Sequence, residues 1–269
     1  MVDRSLIFDV GCNDGQDADF YLKKGFRVVG VEANPALCDA LKARFAAEIA
    51  EGRFMLVEEA IAEEEGEVEF YVNPEENIRS TIRPSHIEIA TALGRPPTKT
   101  TVRSITFPSL IEQFGVPYYM KVDIEGADQL CLDGLAPFDE IPLFLSTEYP
   151  MSLTGQIRVL LFLRKLGYQR FQVIDQMTVP SQVPPLPARE GRYVDVQPEF
   201  NGSGLFGKEL PGAWMTLSGA ILHFVKLFAR NKRMGLMRRL PVMKRFAGHG
   251  SWYDIHAAQP AAARSAAQN

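Results

Sequence analysis

Residues 9 to 15, Asp-Val-Gly-Cys-Asn-Asp-Gly, crowd two glycines, an asparagine and two acids into one short stretch, and Asp17 follows closely. Glycine lets a backbone approach a ligand with no Cβ in the way. A dinucleotide-binding turn would read Gly-x-Gly-x-x-Gly, but Asn13 stands where its second glycine belongs. A pyrophosphate would also be repelled by Asp9, Asp14 and Asp17, whereas an ammonium or a sulfonium would be attracted. Glu32 lies 17 residues beyond Gly15, at the end of the β-rich run Val-Val-Gly-Val. An acid there can accept both hydroxyls of a ribose; the plain alternative is a surface acid that ends a strand. An adenosine-type ligand with a cationic, non-phosphate tail fits both features, and S-adenosylmethionine answers that description.

A second cluster, Lys-Val-Asp-Ile-Glu-Gly at 121 to 126, carries Lys121, Asp123 and Glu125 on alternate positions, so a strand would put all three on one face. Burying them together is costly unless they pair or meet a ligand. A Lys–Asp pair on an edge strand is the bland reading. Glu148 is a further carboxylate candidate, and His86 is the one histidine before the C-terminal region. His86 is either a base or an ordinary surface residue.

These residues need elements to hold them. Strand-like and helix-like runs alternate from the start, the pattern of a parallel sheet with crossover helices. "SLIFDV" predicts a first strand and "GQDADFYLKKG" a helix stopped by Gly25. "FRVVGVEA" predicts a second strand. "NPALCDALKARFAAEIAEG" then predicts one helix, capped by Asn34 with Pro35 in its first position. Strands follow at "RFMLVEEAIA", "GEVEFYVNP", "KTTVRSIT", "PYYMKVDIEG", "IPLFLSTEYP" and "QRFQVID", with helices at "FPSLIEQFG", "ADQLCLDGL" and "GQIRVLLFLRKLGY". Residues 74 to 99 form a proline-broken insertion, where Arg79 and Arg83 either contact an anionic acceptor or are simply solvated.

The stretches "FDVGCNDGQDADFYLKKG", "VVGVEANP", "EEAIAEEEGEVEFYVNP" and "YMKVDIEGADQLCLDGL" resemble the FkbM-type family of class I S-adenosylmethionine-dependent methyltransferases, over residues 5 to 175. The family pattern pairs a D-x-G-x-N-x-G turn with a late K-x-D-x-E-G motif. The resemblance implies a Rossmann-like α/β fold with a mostly parallel central sheet flanked by helices. It also implies methyl transfer to a hydroxyl of a glycan, a glycolipid precursor or a small natural product. Asp9, Gly11, Asn13 and Gly15 are then expected around the methionine part, Glu32 at the ribose, and Glu59, Ala60 and Ile61 at the adenine; Asp17, Ala33 and Asn34, adjoining these, are further cofactor-binding candidates. Asp123 and Glu125 are expected where methyl donor meets acceptor, with Lys121 tuning them; no metal is expected. The turn departs from the family in its acidity at Asp14 and Asp17. The first strand also lacks the helix that often precedes it, which leaves the site more open or the C-terminal segment to cover it.

A methyltransferase domain is therefore expected over residues 1–178 and a helical, basic C-terminal extension over 179–269. A hydrophobic content of 46% with 23% charge suits a globular chain. No apolar run reaches the roughly 18 residues of a spanning helix, no signal-peptide pattern opens the chain, and the three cysteines are too scattered for disulfides. A cytoplasmic protein is the expectation. The net charge of −4 conceals an asymmetry: residues 210 to 253 hold eight basic residues and no acid, leaving 21 basic against 33 acidic elsewhere. Residues 216–246 read either as a helical cover on the domain or as a peripheral contact with the inner membrane surface. Their aromatics are not spaced to stack bases, so no nucleic acid is expected. Within the family, a small-molecule tailoring enzyme is the alternative acceptor reading. Outside it, a cofactor-binding module without chemistry is.

Overall fold

A computed structural model describes residues 1–72, 97–124, 126–148, 152–199, 202–237, 253–260 and 262. The candidates His86, Arg79, Arg83 and Glu125 lie outside them. Ten strands are described: β1 (Asp3–Val10), β2 (Arg27–Val31), β3 (Phe54–Val57), β4 (Ala60–Ile61), β5 (Gly66–Val72), β6 (Thr98–Ile105), β7 (Pro117–Val122), β8 (Phe144–Glu148), β9 (Arg170–Asp175) and β10 (Tyr253–Ala258). The helices are α1 (Gln16–Lys23), α2 (Pro35–Arg44), α3 (Ala46–Ala50), α4 (Phe107–Phe114), α5 (Asp128–Gly134), α6 (Leu153–Leu166) and α7 (Leu217–Met237).

Seven strands form the main sheet in the order β3-β2-β1-β7-β8-β10-β9, and β4-β6-β5 form a small second sheet. β3, β2, β1, β7 and β8 run parallel, and only β10 runs against its neighbours β8 and β9. This is a Rossmann-like class I arrangement, with the sheet order reversing direction beside β1, where such sheets open a ligand crevice. The expected strands and crossovers are present because each buried strand is a short β-branched or aromatic run closed by a turn residue. β1, for example, buries Leu6 through Val10 completely.

Three details of the expected elements differ. The run from Arg53 to Ala62, expected as one strand, divides into β3 in the main sheet and β4 in the second sheet. The helix after Asn34 keeps its cap, with the Ala36 N–H donating to the Asn34 side chain at 3.1 Å, but it breaks at Phe45 into α2 and α3. Phe45 leaves helical geometry and is buried with its ring 4.6 Å from that of Phe54. The largest difference is β10. The segment set apart as an extension supplies a strand to the interior of the main sheet, and all six of its residues are buried.

Alternation along the strands sorts the core into two layers. Phe8, Val10, Met120, Val122, Leu145, Ile255 and Ala257 face one side, packed with α4, α5, α6 and α7. Ile7, Tyr119, Phe144 and Ala258 face the other, packed with α1, α2 and, from the chain after β9, Val194, Val196, Leu205, Phe206 and Trp214. On this second side the chain after β9 acts as the cover. Phe206 stacks on Tyr119 at 4.8 Å between ring centroids. The buried Lys24 ammonium sits 2.8 Å from the Glu209 carboxylate, which also accepts from the backbone N–H groups of Arg189 and Glu190. No helix among the described residues is long and apolar enough to cross a membrane.

Candidate active site

The first turn is built from three residues in left-handed conformation: Gly11 at φ 82°, Asn13 at φ 48° and Gly15 at φ 80°. Asparagine tolerates that region better than other side-chain-bearing residues, which explains its presence mid-turn. The glycines make room for protein. A Cβ on Gly11 would lie 1.9 Å from the Asp123 carbonyl oxygen, and one on Gly15 would lie 2.5 Å from the Phe45 ring. Gly11 thus lets the ends of β1 and β7 close together, and Gly15 seats α1 on α2. Close packing of protein on protein therefore requires both glycines, apart from any ligand the turn borders.

Glu32 ends β2 and is 9% exposed. One carboxylate oxygen accepts from the Ala33 and Asn34 N–H groups at 2.9 and 2.8 Å, the other from the Asn13 N–H at 3.0 Å. The side chain therefore ties the first turn to the start of α2 and keeps unused acceptor capacity on the second oxygen. Burial, against these three bonds, raises its carboxyl to about 7.

Beneath the turn, the expected acidic rim is in fact an internal ion cluster. The Lys121 ammonium lies 2.9 Å from Asp17, 3.4 Å from Asp9 and 3.8 Å from Asp123. Asp9 is fully buried and, among the described residues, neither of its oxygens has a hydrogen-bond donor in bonding geometry; desolvation raises it to about 6. Asp17 also accepts the Ser203 N–H at 2.9 Å, so the C-terminal cover is fastened to the cluster. Asp14 faces solvent and instead accepts the Gln16 N–H at the start of α1.

Asp123 follows β7, with its side chain 38% exposed and its carboxyl raised, chiefly by desolvation. Asp128 holds the turn behind it, accepting from the Ile124 and Gly126 N–H groups at 3.3 and 3.1 Å. Glu59, Ala60 and Ile61 lie past the end of β3. Glu59 pairs with Arg103 at 3.3 Å, while Ala60 and Ile61 are buried in β4, Ala60 packing with Ala33.

Register aligns a buried polar row across five strands: Asp9, Lys121, Ser146, His256 and Gln172. The Ser146 and Tyr119 hydroxyls are 2.6 Å apart, and His256 is held neutral by burial, its pKa lowered to about 3. Two residues closer to the open edge, β10 sets Asp254 opposite Glu148. Asp254 is 7% exposed and its carboxylate makes no hydrogen bond or ion pair among the described residues. Desolvation first, then the nearby Asp123, raises it to about 8. The sequence reading missed this acid. Its signal was the period-two alternation of Tyr253, Ile255 and Ala257 with Asp254 and His256, hidden in a segment read as a tail.

The family model for the methyltransferase FkbM domain matches residues 9–170. The chain belongs to this family. S-adenosylmethionine is accordingly the cofactor of this FkbM methyltransferase. The corner fits it: buried carboxylates outnumber the single ammonium of Lys121 among the described residues, the oxygens of Asp9 lack donors, and Glu32 retains acceptor capacity. No curated protein matches the chain. Among solved structures, an FkbM methyltransferase from Methylobacillus flagellatus KT is 16% identical over 55% of this chain, with a TM-score of 0.36. This chain spans about a third, 34%, of that protein's length. A precorrin-6y C5,15-methyltransferase from Geobacter metallireducens GS-15 is 9% identical, covering 96% of this chain and 82% of its own, with a TM-score of 0.40. The StiE O-MT, residues 961–1257, is 9% identical, covering 95% and 68%, with a TM-score of 0.42.

Proposed function

We propose that this FkbM methyltransferase transfers methyl to a hydroxyl oxygen of a glycan or glycolipid precursor, with Asp254 and Asp123 serving the acceptor. The observation that carries the reading is the row of carboxylates at the open sheet edge beside the cofactor corner: Asp123, and Asp254 opposite Glu148. A neutral hydroxyl is a weak nucleophile and needs a proton acceptor as it attacks.

In this reading Glu32 receives the ribose hydroxyls, and the turn from Asp9 to Gly15 surrounds the methionine part. The edge of Glu59, Ala60 and Ile61 takes the adenine. Bound S-adenosylmethionine supplies an electrophilic methyl on a sulfonium. The protein aligns the acceptor oxygen with that methyl, an effect that can supply roughly 7–11 kcal/mol of the barrier. Asp254 takes the hydroxyl proton. Asp123, 3.8 Å from Lys121, orients the hydroxyl from the adjoining side.

A base acts only when deprotonated. With Asp254 raised to about 8, the rate should climb as pH rises through 8 and level off above it. Asp254→Asn should cost on the order of 100- to 10,000-fold in turnover and remove that ascending limb. Its cofactor affinity by calorimetry should stay within about twofold, because Asn keeps the size of the side chain. Retention of the same limb in the variant would discard Asp254 as the base.

The acceptor class is tested with S-adenosylmethionine carrying a tritiated methyl and a cell-envelope carbohydrate fraction. Label that survives mild alkali and is recovered on O-methyl sugars after acid hydrolysis supports the reading. Label recovered as methyl ester, or on nitrogen, overturns it.

A further inference from the structure

Helix α7 has two unlike sides. Ala220 and Phe224 are fully buried, and Leu217, Ile221 and Leu227 pack beside them against the main apolar layer. Arg230 donates to the Tyr253 hydroxyl at 2.8 Å, tying the helix to β10. Its other side is exposed and still apolar: Leu222 is 53% exposed, Val225 42% and Phe228 43%. At about 100° per residue these three, with exposed Lys226, Lys232 and Arg233, fall within roughly 160° of circumference, and the half-buried Ile221 lies in the same arc where it meets the core. The adjoining helix α6 repeats the chemistry, with Leu161 50% exposed and flanked by Arg158, Arg164 and Lys165. The sequence continues past α7 with Arg238, Arg239, Lys244 and Arg245, and has no acid between Leu210 and Tyr253.

We infer that the outer face of α7 docks on an anionic lipid bilayer, inserting Leu222, Val225 and Phe228 while Lys226, Lys232 and Arg233 meet the headgroups. An exposed large apolar stripe calls for an apolar partner. Basic residues interleaved with it select a partner that is anionic around an apolar interior, which is the chemistry of an interfacial helix. A second copy of the chain would bring like charges face to face. A nucleic acid would leave the apolar stripe without a partner. The inference is independent of which group accepts the methyl.

The test is co-sedimentation of the full chain with vesicles of phosphatidylglycerol and phosphatidylethanolamine, against vesicles of phosphatidylcholine alone. Binding to the anionic vesicles is expected to be at least tenfold tighter, and to fall at least tenfold between 0.1 and 0.5 M NaCl as screening grows. The variant Leu222→Ser/Val225→Ser/Phe228→Ser should lose at least tenfold of that binding while its melting temperature and its affinity for S-adenosylmethionine stay unchanged. Lys226→Glu/Lys232→Glu/Arg233→Glu, which leaves every apolar residue in place, should do the same. Absence of binding to anionic vesicles, or binding unaltered in both variants, overturns the inference. So does a dimer in sedimentation velocity that dissociates in the serine variant, since it would assign the face to a second copy.

Discussion

Deletion of residues 253–269 should leave a chain with no cooperative unfolding transition. β10 lies inside the main sheet, paired with β8 on one side and β9 on the other, and none of its residues is exposed. Removing it separates β9 from the sheet and leaves two strand edges without partners for their backbone groups. It also uncovers the apolar layer that Ile255 and Ala257 complete, along with the inner side of α7, which is tied to Tyr253. A domain is stable by only about 5–15 kcal/mol, and the loss of one fully buried large side chain costs about 2–5 kcal/mol before any backbone term. A circular-dichroism melt reads the result. Ile255→Asp, which keeps the backbone but places a carboxylate in the apolar layer, should also fail to melt cooperatively at neutral pH. A native-like melt of the deletion would show that the sheet stands without its last strand, and one of Ile255→Asp that the apolar layer does not depend on that side chain.

The second large effect is expected at Lys121→Met. The ammonium is the shared partner of Asp9 and Asp17, both buried, and removing one partner of a buried pair costs about 3–5 kcal/mol. The pH dependence separates this cause from lost packing. Asp9 is raised to about 6 even with Lys121 present, because desolvation outweighs the attraction. A carboxyl raised in the folded state stabilises that state fully at pH below its unfolded value, and the contribution is lost as pH rises through the folded value. Without Lys121 the folded value moves higher still. The variant's melting temperature should therefore increase as pH is lowered from 8 to 5, and the added Asp9→Asn substitution should recover part of the loss at pH 8. A deficit independent of pH would mean that the aliphatic stem of Lys121, not its charge, was what mattered.

Several features of the site were legible one-dimensionally because they are local. The left-handed turn needs glycine or asparagine within a few residues, so Gly11, Asn13 and Gly15 announce it. The placement of Glu32 at a strand end and the capping of α2 by Asn34 are equally short-range. Alternation put Lys121 and Asp123 on one strand face, and the structure joins them across 3.8 Å. What these glycines pack against was not legible. Their neighbours, the Asp123 carbonyl and the Phe45 ring, come from other elements. Likewise, the acids of the first turn looked like an open rim until Lys121, more than a hundred positions away, closed on two of them from the neighbouring strand.

The sequence by itself determined the α/β class, the parallel crossovers, the family and thereby the cofactor, since each rests on patterns contained within a strand, a turn or a short motif. Only the tertiary structure decided where the last strand goes. A strand of six residues carries no label for its partners. The sheet supplies them, in the gap between β8 and β9 that β10 fills antiparallel to both. That insertion set Asp254 at the open edge of the sheet. It also fastened α7 with one face buried and the other turned outward, which neither composition nor periodicity could have resolved.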